Sequence, residues 1–343
     1  MAKMKSFWNN LPQPFFALAP MEAVTDVVFR HVVQRAGAPD VFFTEFANAT
    51  GWVHAGDKAI AGRLFKTDDE HPLVAQIWGG EPGDMEQFAA HCARLGFDGI
   101  DINMGCPAKS AIKSGGAALI RRPDVAVAAI HAAKTAGLPI SVKTRLGYTH
   151  VNEWREWLQI LLEQNIVNLT IHLRTKKEMS KVPAHYELID DIVALRDAVA
   201  PHTLLMINGD IRDRGHGLAL AGAHPGVNGI MIGRGVFANP FCFAAGGTKC
   251  LHSQNNLEQN KAILINGDSV TARYTELFDL LNYHLDLLDR YQPQTGRPFE
   301  TLKRFFKIYV KGFDGAKELR DQLMHATSTD EARNFIKNTR YAI

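Results

Sequence analysis

A chain of 343 residues, 46% hydrophobic and 22% charged, has the composition of an ordinary globular protein, with length for about two domains. Lys and Arg number 38 against 36 Asp and Glu, a formal net charge of +2 that says little about partners and excludes a disordered polyelectrolyte. The distribution says more: Arg297 to Ile343 carries ten basic against six acidic side chains, which leaves the preceding residues slightly acidic.

Eight short apolar runs recur in chain order: FFALAP from position 15, VFFTEF from 41, LVAQIW from 73, GIDINM from 99, PISVKT from 139, NLTIHL from 168, TLLMING from 203 and GIMIGR from 229. Helix-period segments lie between most of them, among them DMEQFAAHCARLG and PDVAVAAIHAAKTAG, the latter opening at Pro123 and closing at Gly137. Strands alternating with helices imply βαβ units and a parallel sheet, and eight units predict an α/β fold of the closed (β/α)₈ TIM-barrel type. A doubly wound dinucleotide-binding sheet is the alternative, but no GxGxxG follows the first strand. Near residue 244 the pattern stops in a polar, Gly/Asn-rich stretch, and from Thr271 the chain reads as helical, with RYTELFDLLNYHLDLLDRY and ETLKRFFKIYVKGF as its clearest elements. The expected organisation is a barrel at 1–243, a linker at 244–269 and a small all-helical domain at 270–343.

Cys92, Cys106, Cys242 and Cys250 form no CxxC pair and no Cys/His ligand spacing, so neither a disulfide framework nor a bound metal is expected. The opening MAKMKSFWNN lacks an apolar signal core, and no later stretch approaches the roughly 20 apolar residues of a membrane span, so a cytoplasmic protein is expected.

Strand side chains alternate between two faces. In GIDINM, Asp101 and Asn103 oppose Ile100, Ile102 and Met104; in ISVKTR, Ser141, Lys143 and Arg145 share a face; in LTIHLR, Thr170, His172 and Arg174 do. The apolar face of a barrel strand meets the helices, so Asn103, Lys143 and His172 should point inward at the carboxyl ends of their strands, where barrel enzymes carry their chemistry. One inward polar residue is usually a satisfied core group, but three at one height point to a site. Strand seven runs into Asn208-Gly209-Asp210 and strand eight into Gly233-Arg234-Gly235, the two loops that frequently bind phosphate in barrels. A phosphorylated cofactor is expected there.

The segments APMEAVTDVVFR from 19, DINMGCPAK from 101, VKTRLG from 142, HLRT from 172, NGDI from 208 and GIMIGRGVFANP from 229 resemble the tRNA-dihydrouridine synthases, in order and over nearly the whole chain. The resemblance implies an FMN-dependent barrel that reduces tRNA uridines to 5,6-dihydrouridine with NADPH or NADH, acting as a monomer with tRNA as its partner. It implies that Cys106 protonates the base while Asn103 holds the uracil, and that Pro20 and Met21 line the flavin. Gln76 and Lys143 would bond the flavin's polar edge, with His172 near its phosphate arm. Asn208, Gly209, Asp210, Gly233 and Arg234 would hold the phosphate, and Lys109 and Arg174 would face the substrate. Leu173 and the stretch KKEMSKVPAHYE after that motif depart from the family pattern.

The chemistry suits a thiol. Hydride addition to C6 of uracil builds negative charge on C5 and O4, and a cysteine with an ordinary pKa of about 8.5 is a ready proton donor at neutral pH. Asp101, deeper in the barrel, is expected to be a structural hydrogen-bonding group. In TLKRFFKIYVKGF, Lys303, Lys307 and Lys311 are spaced as one helical stripe for a tRNA backbone, while Phe305, Ile308 and Tyr309 would pack into the helical bundle. A flavin oxidoreductase acting on a free pyrimidine is the alternative reading, although a free base needs no such basic tail.

Overall fold

The computed structural model describes residues 6–60, 62–245 and 267–340. Among these residues nine strands form one parallel sheet: β1 (Phe15–Leu18), β2 (Phe42–Phe43), β3 (Ala47–Asn48), β4 (Leu73–Trp78), β5 (Gly99–Asn103), β6 (Ile140–Arg145), β7 (Asn168–His172), β8 (Leu204–Asn208) and β9 (Gly229–Ile232). They follow one another around the order β1-β9-β8-β7-β6-β5-β4-β2, with β3 also on β4. The ring closes where Ala17 bridges Val41 and the amides of Asp40 and Val41 donate to the Phe16 carbonyl at 2.8 and 3.1 Å. This is the expected (β/α)₈ barrel. The second barrel strand is split, because Thr44 and Glu45 interrupt it with buried polar side chains.

Helices on the outside cover the apolar strand faces. Val27–Gly37 is capped by Asp26, whose carboxylate accepts the Phe29 amide at 3.0 Å, and it buries Val28, Phe29, Val32 and Val33. Pro82–Arg94 and Pro123–Lys134 each begin on proline, whose missing N–H costs nothing in a first turn. The amino-terminal end of the barrel interior is stoppered by Trp8, whose ring sits 5.8 Å from Phe15 and 6.5 Å from Phe43, beside Val74, Met206 and Met231. The apolar filling ends there. Towards the carboxyl ends the interior of β4 to β7 is polar.

Most of the expected linker, residues 246–266, lies outside the described residues. From Gly267 the described chain is helical: Gly267–Thr295, then Phe306–Tyr309, Ala316–His325 and Thr329–Arg340, with a 3₁₀ turn at Phe299–Phe305. These helices dock on the β1 side of the barrel. Phe305 stacks on Phe29 at 4.8 Å, and His284 hydrogen-bonds the Tyr309 hydroxyl at 2.7 Å. Phe305, Ile308 and Tyr309 are buried as expected, but the lysine stripe does not form. The segment is a 3₁₀ turn followed by a single α-turn that ends at Tyr309, so Lys303, Lys307 and Lys311 do not share one helix face; Lys311 instead donates to the Ala238 carbonyl of the barrel.

The firmest link is ionic. Arg297 pairs with the fully buried Glu45 and stands 3.9 Å from Asp26, while Glu45 also accepts the Ala23 amide and Arg304 donates to the Ala23 carbonyl at 3.0 Å. Burial pushes the carboxyls of Glu45 and Asp26 up, and Arg297 opposes that shift at both. Removing one partner of such a group leaves buried charge uncompensated, so Arg297→Ala should cost about 3–5 kcal/mol at neutral pH. Folded carboxyls with raised pKa take up protons before the unfolded chain does, so their destabilising charge disappears as pH falls. The melting-temperature gap between variant and parent should therefore narrow from neutral pH to about pH 5 in calorimetry; a gap that stays constant or widens contradicts the buried pairing.

Candidate active site

Period-two alternation and parallel register set neighbours inside the barrel: Gln76 beside Asp101, Asp101 beside Ser141, Asn103 beside Lys143, and His172 between Arg145 and Asn208. Buried polar groups must find partners, and here they form one continuous chain. Ser141 Oγ donates to Asp101 Oδ1 at 2.6 Å, and Gln76 Nε2 donates to Asp101 Oδ2 at 2.7 Å. Asn103 Nδ2 donates to Gln76 Oε1 at 3.0 Å, and Asn103 Oδ1 accepts the backbone amides of Gly105 at 3.0 Å and Cys106 at 2.9 Å. An asparagine that captures amides two and three residues ahead turns the chain out of the strand. Cys106 is thereby held, half-buried, at the barrel mouth.

Two neighbours fix the cysteine loop from outside. Arg145 Nε donates to the Gly105 carbonyl at 2.7 Å and its Nη1 to the carbonyls of Thr175 and Met179 at 3.1 and 3.0 Å. Gly116 has φ +55°, and a Cβ there would stand 2.9 Å from the Cys106 carbonyl oxygen, so the return of the loop requires glycine.

Burial pushes the Cys106 thiol up, although the Ala108 amide, Arg145 and Lys143 pull it down. It is a thiol at neutral pH. Burial and the nearby Arg145 bring the Lys143 ammonium down to about 8, against the pull of Asp101 and Cys106, and no described residue hydrogen-bonds it. His172 is held far below its ordinary range by burial and by the cations Arg145, Lys143, Arg174 and Arg234. Arg174 Nη1, which can only donate, meets His172 Nε2 at 3.1 Å, so the ring is neutral with its proton on Nδ1.

After β8 the chain turns through Gly209 at φ +132°, where a Cβ would stand 3.0 Å from Ala184, and Asp210 at φ +51°. The Asp210 carboxylate joins Arg174 to Arg234, the latter at 2.9 Å, and accepts the Ala184 amide at 3.2 Å. The backbone amides of Gly209, Asp210, Gly233 and Arg234 donate to no described residue. Free amides beside an arginine make a cradle for an anion, and an unpartnered ammonium inside the barrel calls for an electron-rich group. The residues fit a phosphorylated, conjugated cofactor.

The family model described as dihydrouridine synthase matches residues 17–342. Proteins named probable tRNA-dihydrouridine synthase are similar throughout. That numbered 2 in Bacillus subtilis (strain 168) is 55% identical over 334 residues, covering 97% of this chain and 96% of its own. One from Staphylococcus aureus (strain Mu50) is 52% identical and one from Staphylococcus epidermidis 51%, each covering 97% of this chain and 95% of the relative. The chain belongs to the dihydrouridine synthase family.

In this family member the barrel mouth gathers Asn103, Cys106, Lys143, His172, Asn208, Gly209, Asp210, Gly233 and Arg234, with Pro20 and Met21 half-buried at the end of β1. Gln76 lies deeper, with both ends of its amide bonded inside the barrel. Lys109 is exposed on the cysteine loop. Arg174 does not face outward as a substrate contact: it is 1% exposed, and its guanidinium is divided among Val182, His172 and Asp210. It ties the end of β7 to Val182 and to the loop after β8.

Arg145 was readable from alternation, since it shares the inward face with Lys143, but nothing in the sequence gives it three carbonyls to hold. Tyr186, which donates to the Gly209 carbonyl at 2.6 Å, gives no local signal at all. It comes from the stretch that departs from the family pattern, the same one that supplies Met179, Val182 and Ala184. Among the described residues no membrane-length apolar helix and no cluster of three or more potential metal ligands occurs.

The tautomer is directly measurable. Imidazole ¹⁵N shifts should show His172 neutral and protonated on Nδ1 down to about pH 5, below the usual range in which histidines charge. An imidazolium signal at that pH contradicts the cation bracket, and in Arg174→Met the ring should become easier to protonate.

Proposed function

We propose that this protein reduces uridines of tRNA to 5,6-dihydrouridine, with FMN as the bound cofactor, NADPH or NADH as the reductant and the cytoplasm as its place of work. The observation that carries the reading is Cys106, a thiol kept protonated at the barrel mouth on a loop anchored by Asn103. Family membership and the printed name of the relatives support the substrate.

The amides of Gly209, Asp210, Gly233 and Arg234, with the Arg234 side chain, would receive the cofactor phosphate. Lys143 would meet the polar edge of the flavin ring, Pro20 and Met21 would pack on it, and His172 would offer its Nδ1 proton. A reduced flavin held there would supply the hydride for C6 of the uracil ring. Cys106 Sγ gives its proton to C5, and the C5=C6 bond is then saturated by one hydride and one proton. Arg145 and Lys143 stabilise the thiolate until solvent returns the proton. Asn103 has committed one amide hydrogen to Gln76, and the other would be left to hold the base. A uridine inside folded tRNA must leave its stack to reach this depth.

The RNA footprint combines Lys109 on the cysteine loop with Lys303 and Lys307 on the helical domain. Arg121 and Lys176 add charge at the rim, lying 3.8 and 4.8 Å from the centre of the Tyr148 ring. Arg174 and Lys311 are left out of the footprint because their side chains are bonded within the protein.

Two experiments test this reading. Cys106→Ala should keep its flavin and the reduction of that flavin by NADPH, while dihydrouridine formation falls by about 10²- to 10⁴-fold, the usual contribution of a positioned acid. Near-normal turnover, or loss of the flavin, would remove the cysteine from the role. Lys303→Ala with Lys307→Ala should weaken tRNA binding and make its salt dependence shallower by about one unit per lost phosphate contact. An unchanged slope moves the footprint to Lys109 and the rim.

A further inference from the structure

We propose that Asp101 is the positioning residue for the proton donor, acting on Cys106 through Gln76 and Asn103. The inference rests on the reaction proposed above and assigns a role to a residue that touches neither base nor cofactor.

The support is the direction of each hydrogen bond. The amides of Gly105 and Cys106 are backbone donors and can be nothing else, so Asn103 must turn Oδ1 to them and its NH₂ to Gln76. Gln76 must then turn Oε1 to Asn103 and its own NH₂ away, and what it meets is Asp101 Oδ2 at 2.7 Å. A carboxylate only accepts, so the chain ends there without conflict. The other carboxylate oxygen is held by Ser141 of β6 at 2.6 Å, and the Gln76 backbone amide donates to Thr44 Oγ1, in the break between β2 and β3, at 3.0 Å, so both ends of the Asp101–Gln76 link are fixed to neighbouring segments.

Asp101 and Gln76 are fully buried, and Asn103 is 6% exposed. Solvent therefore does not replace a lost partner easily. Without an acceptor at position 101 the Gln76 NH₂ is orphaned, and Gln76 turns to satisfy it. Its Oε1 then leaves Asn103, and the anchor of the cysteine loop goes with it. The effect falls on the placement of Sγ over the base, while the phosphate cradle of β8 and β9 stands on other strands.

The decisive comparison is Asp101→Leu against Asp101→Asn. Leucine removes the acceptor at similar size, whereas asparagine keeps an oxygen for Gln76 and can turn its NH₂ to Ser141. In the leucine variant, turnover of tRNA per bound flavin should fall about 10- to 100-fold, the scale of a misplaced reacting group, with flavin reduction by NADPH unchanged. Alkylation of Cys106 by iodoacetamide, followed on its own peptide by mass spectrometry, should accelerate several-fold as the loop loosens. The asparagine variant should return both readouts to within about 3-fold of the parent. A leucine variant with parental kcat and parental Cys106 alkylation overturns the proposal, and so does an asparagine variant as impaired as leucine.

A measurement on the parent protein stands even where leucine prevents folding. The side-chain NH₂ protons of Gln76 and Asn103 should exchange with solvent at least about 100-fold more slowly than those of a free amide, as protected interior groups do; rapid exchange refutes the chain of bonds. Absence of dihydrouridine formation by the parent would overturn the reaction itself, an outcome distinct from a parent that works and a leucine variant that works equally well.

Discussion

The interior of a β-barrel tolerates a polar side chain only when that side chain is paired, and the mouth of this barrel is built by satisfying that demand. A carboxylate on β5 needs donors and takes them from β4 and β6. The amide that serves it from β4 has an oxygen left over, which the next residue up on β5 can use. That residue in turn has an oxygen for the loop beyond. Each bond is ordinary, yet together they carry a fixed polarity from the middle of the barrel to the thiol at its rim. Arg145 closes the loop from the other side, and the glycine at 116 lets the chain return past the cysteine carbonyl.

Much of this was legible in the sequence because two simple periodicities survive folding. Alternation along β5, β6 and β7 puts the polar residues on the inward face, and the eight-fold recurrence of strand and helix leaves a closed barrel as the simplest arrangement. The positions after β8 were legible as a turn for a chemical reason, since Gly209 and Asp210 occupy backbone conformations that glycine and aspartate tolerate best. What could not be read was anything that depends on long-range partners. Arg174 falls on the same face as His172 and reads as a cation free to meet a substrate, and only the fold shows that Val182, His172 and Asp210 consume it. The lysines at 303, 307 and 311 fit a helical stripe by spacing, but Phe299, Leu302, Phe305 and Phe306 all need burial, and a 3₁₀ turn with a sharp end at Tyr309 meets that need better than one straight helix. Packing overrode local spacing.

The split in the second barrel strand has a similar origin. Glu45 cannot continue the ladder as an apolar residue would; it lies buried and takes its counter-charge from Arg297, more than two hundred residues along the chain. The same carboxylate accepts the Ala23 amide in the loop that follows β1, the loop that also carries Met21. The helical domain is therefore attached at the edge of the reaction chamber, where Phe305 packs on Phe29 and Arg304 reaches the same loop. The helical domain and the mouth of the barrel are thus tied to one another through contacts around Ala23.

The bracket of guanidinium groups around His172 has a consequence for traffic through the mouth. Arg145 and Arg174 are bonded to carbonyls, and Arg174 shares the Asp210 carboxylate with the more exposed Arg234, so three guanidinium groups gather beside the mouth of the barrel. Such an arrangement focuses a positive potential outward and draws in whatever anion diffuses past. A nicotinamide dinucleotide and a transfer RNA are both polyanions, and both would be drawn towards the same opening by the same field. Electrostatics of this kind supplies capture but not choice, so an enzyme serving both through one opening would have to order them by shape and by which of them leaves first.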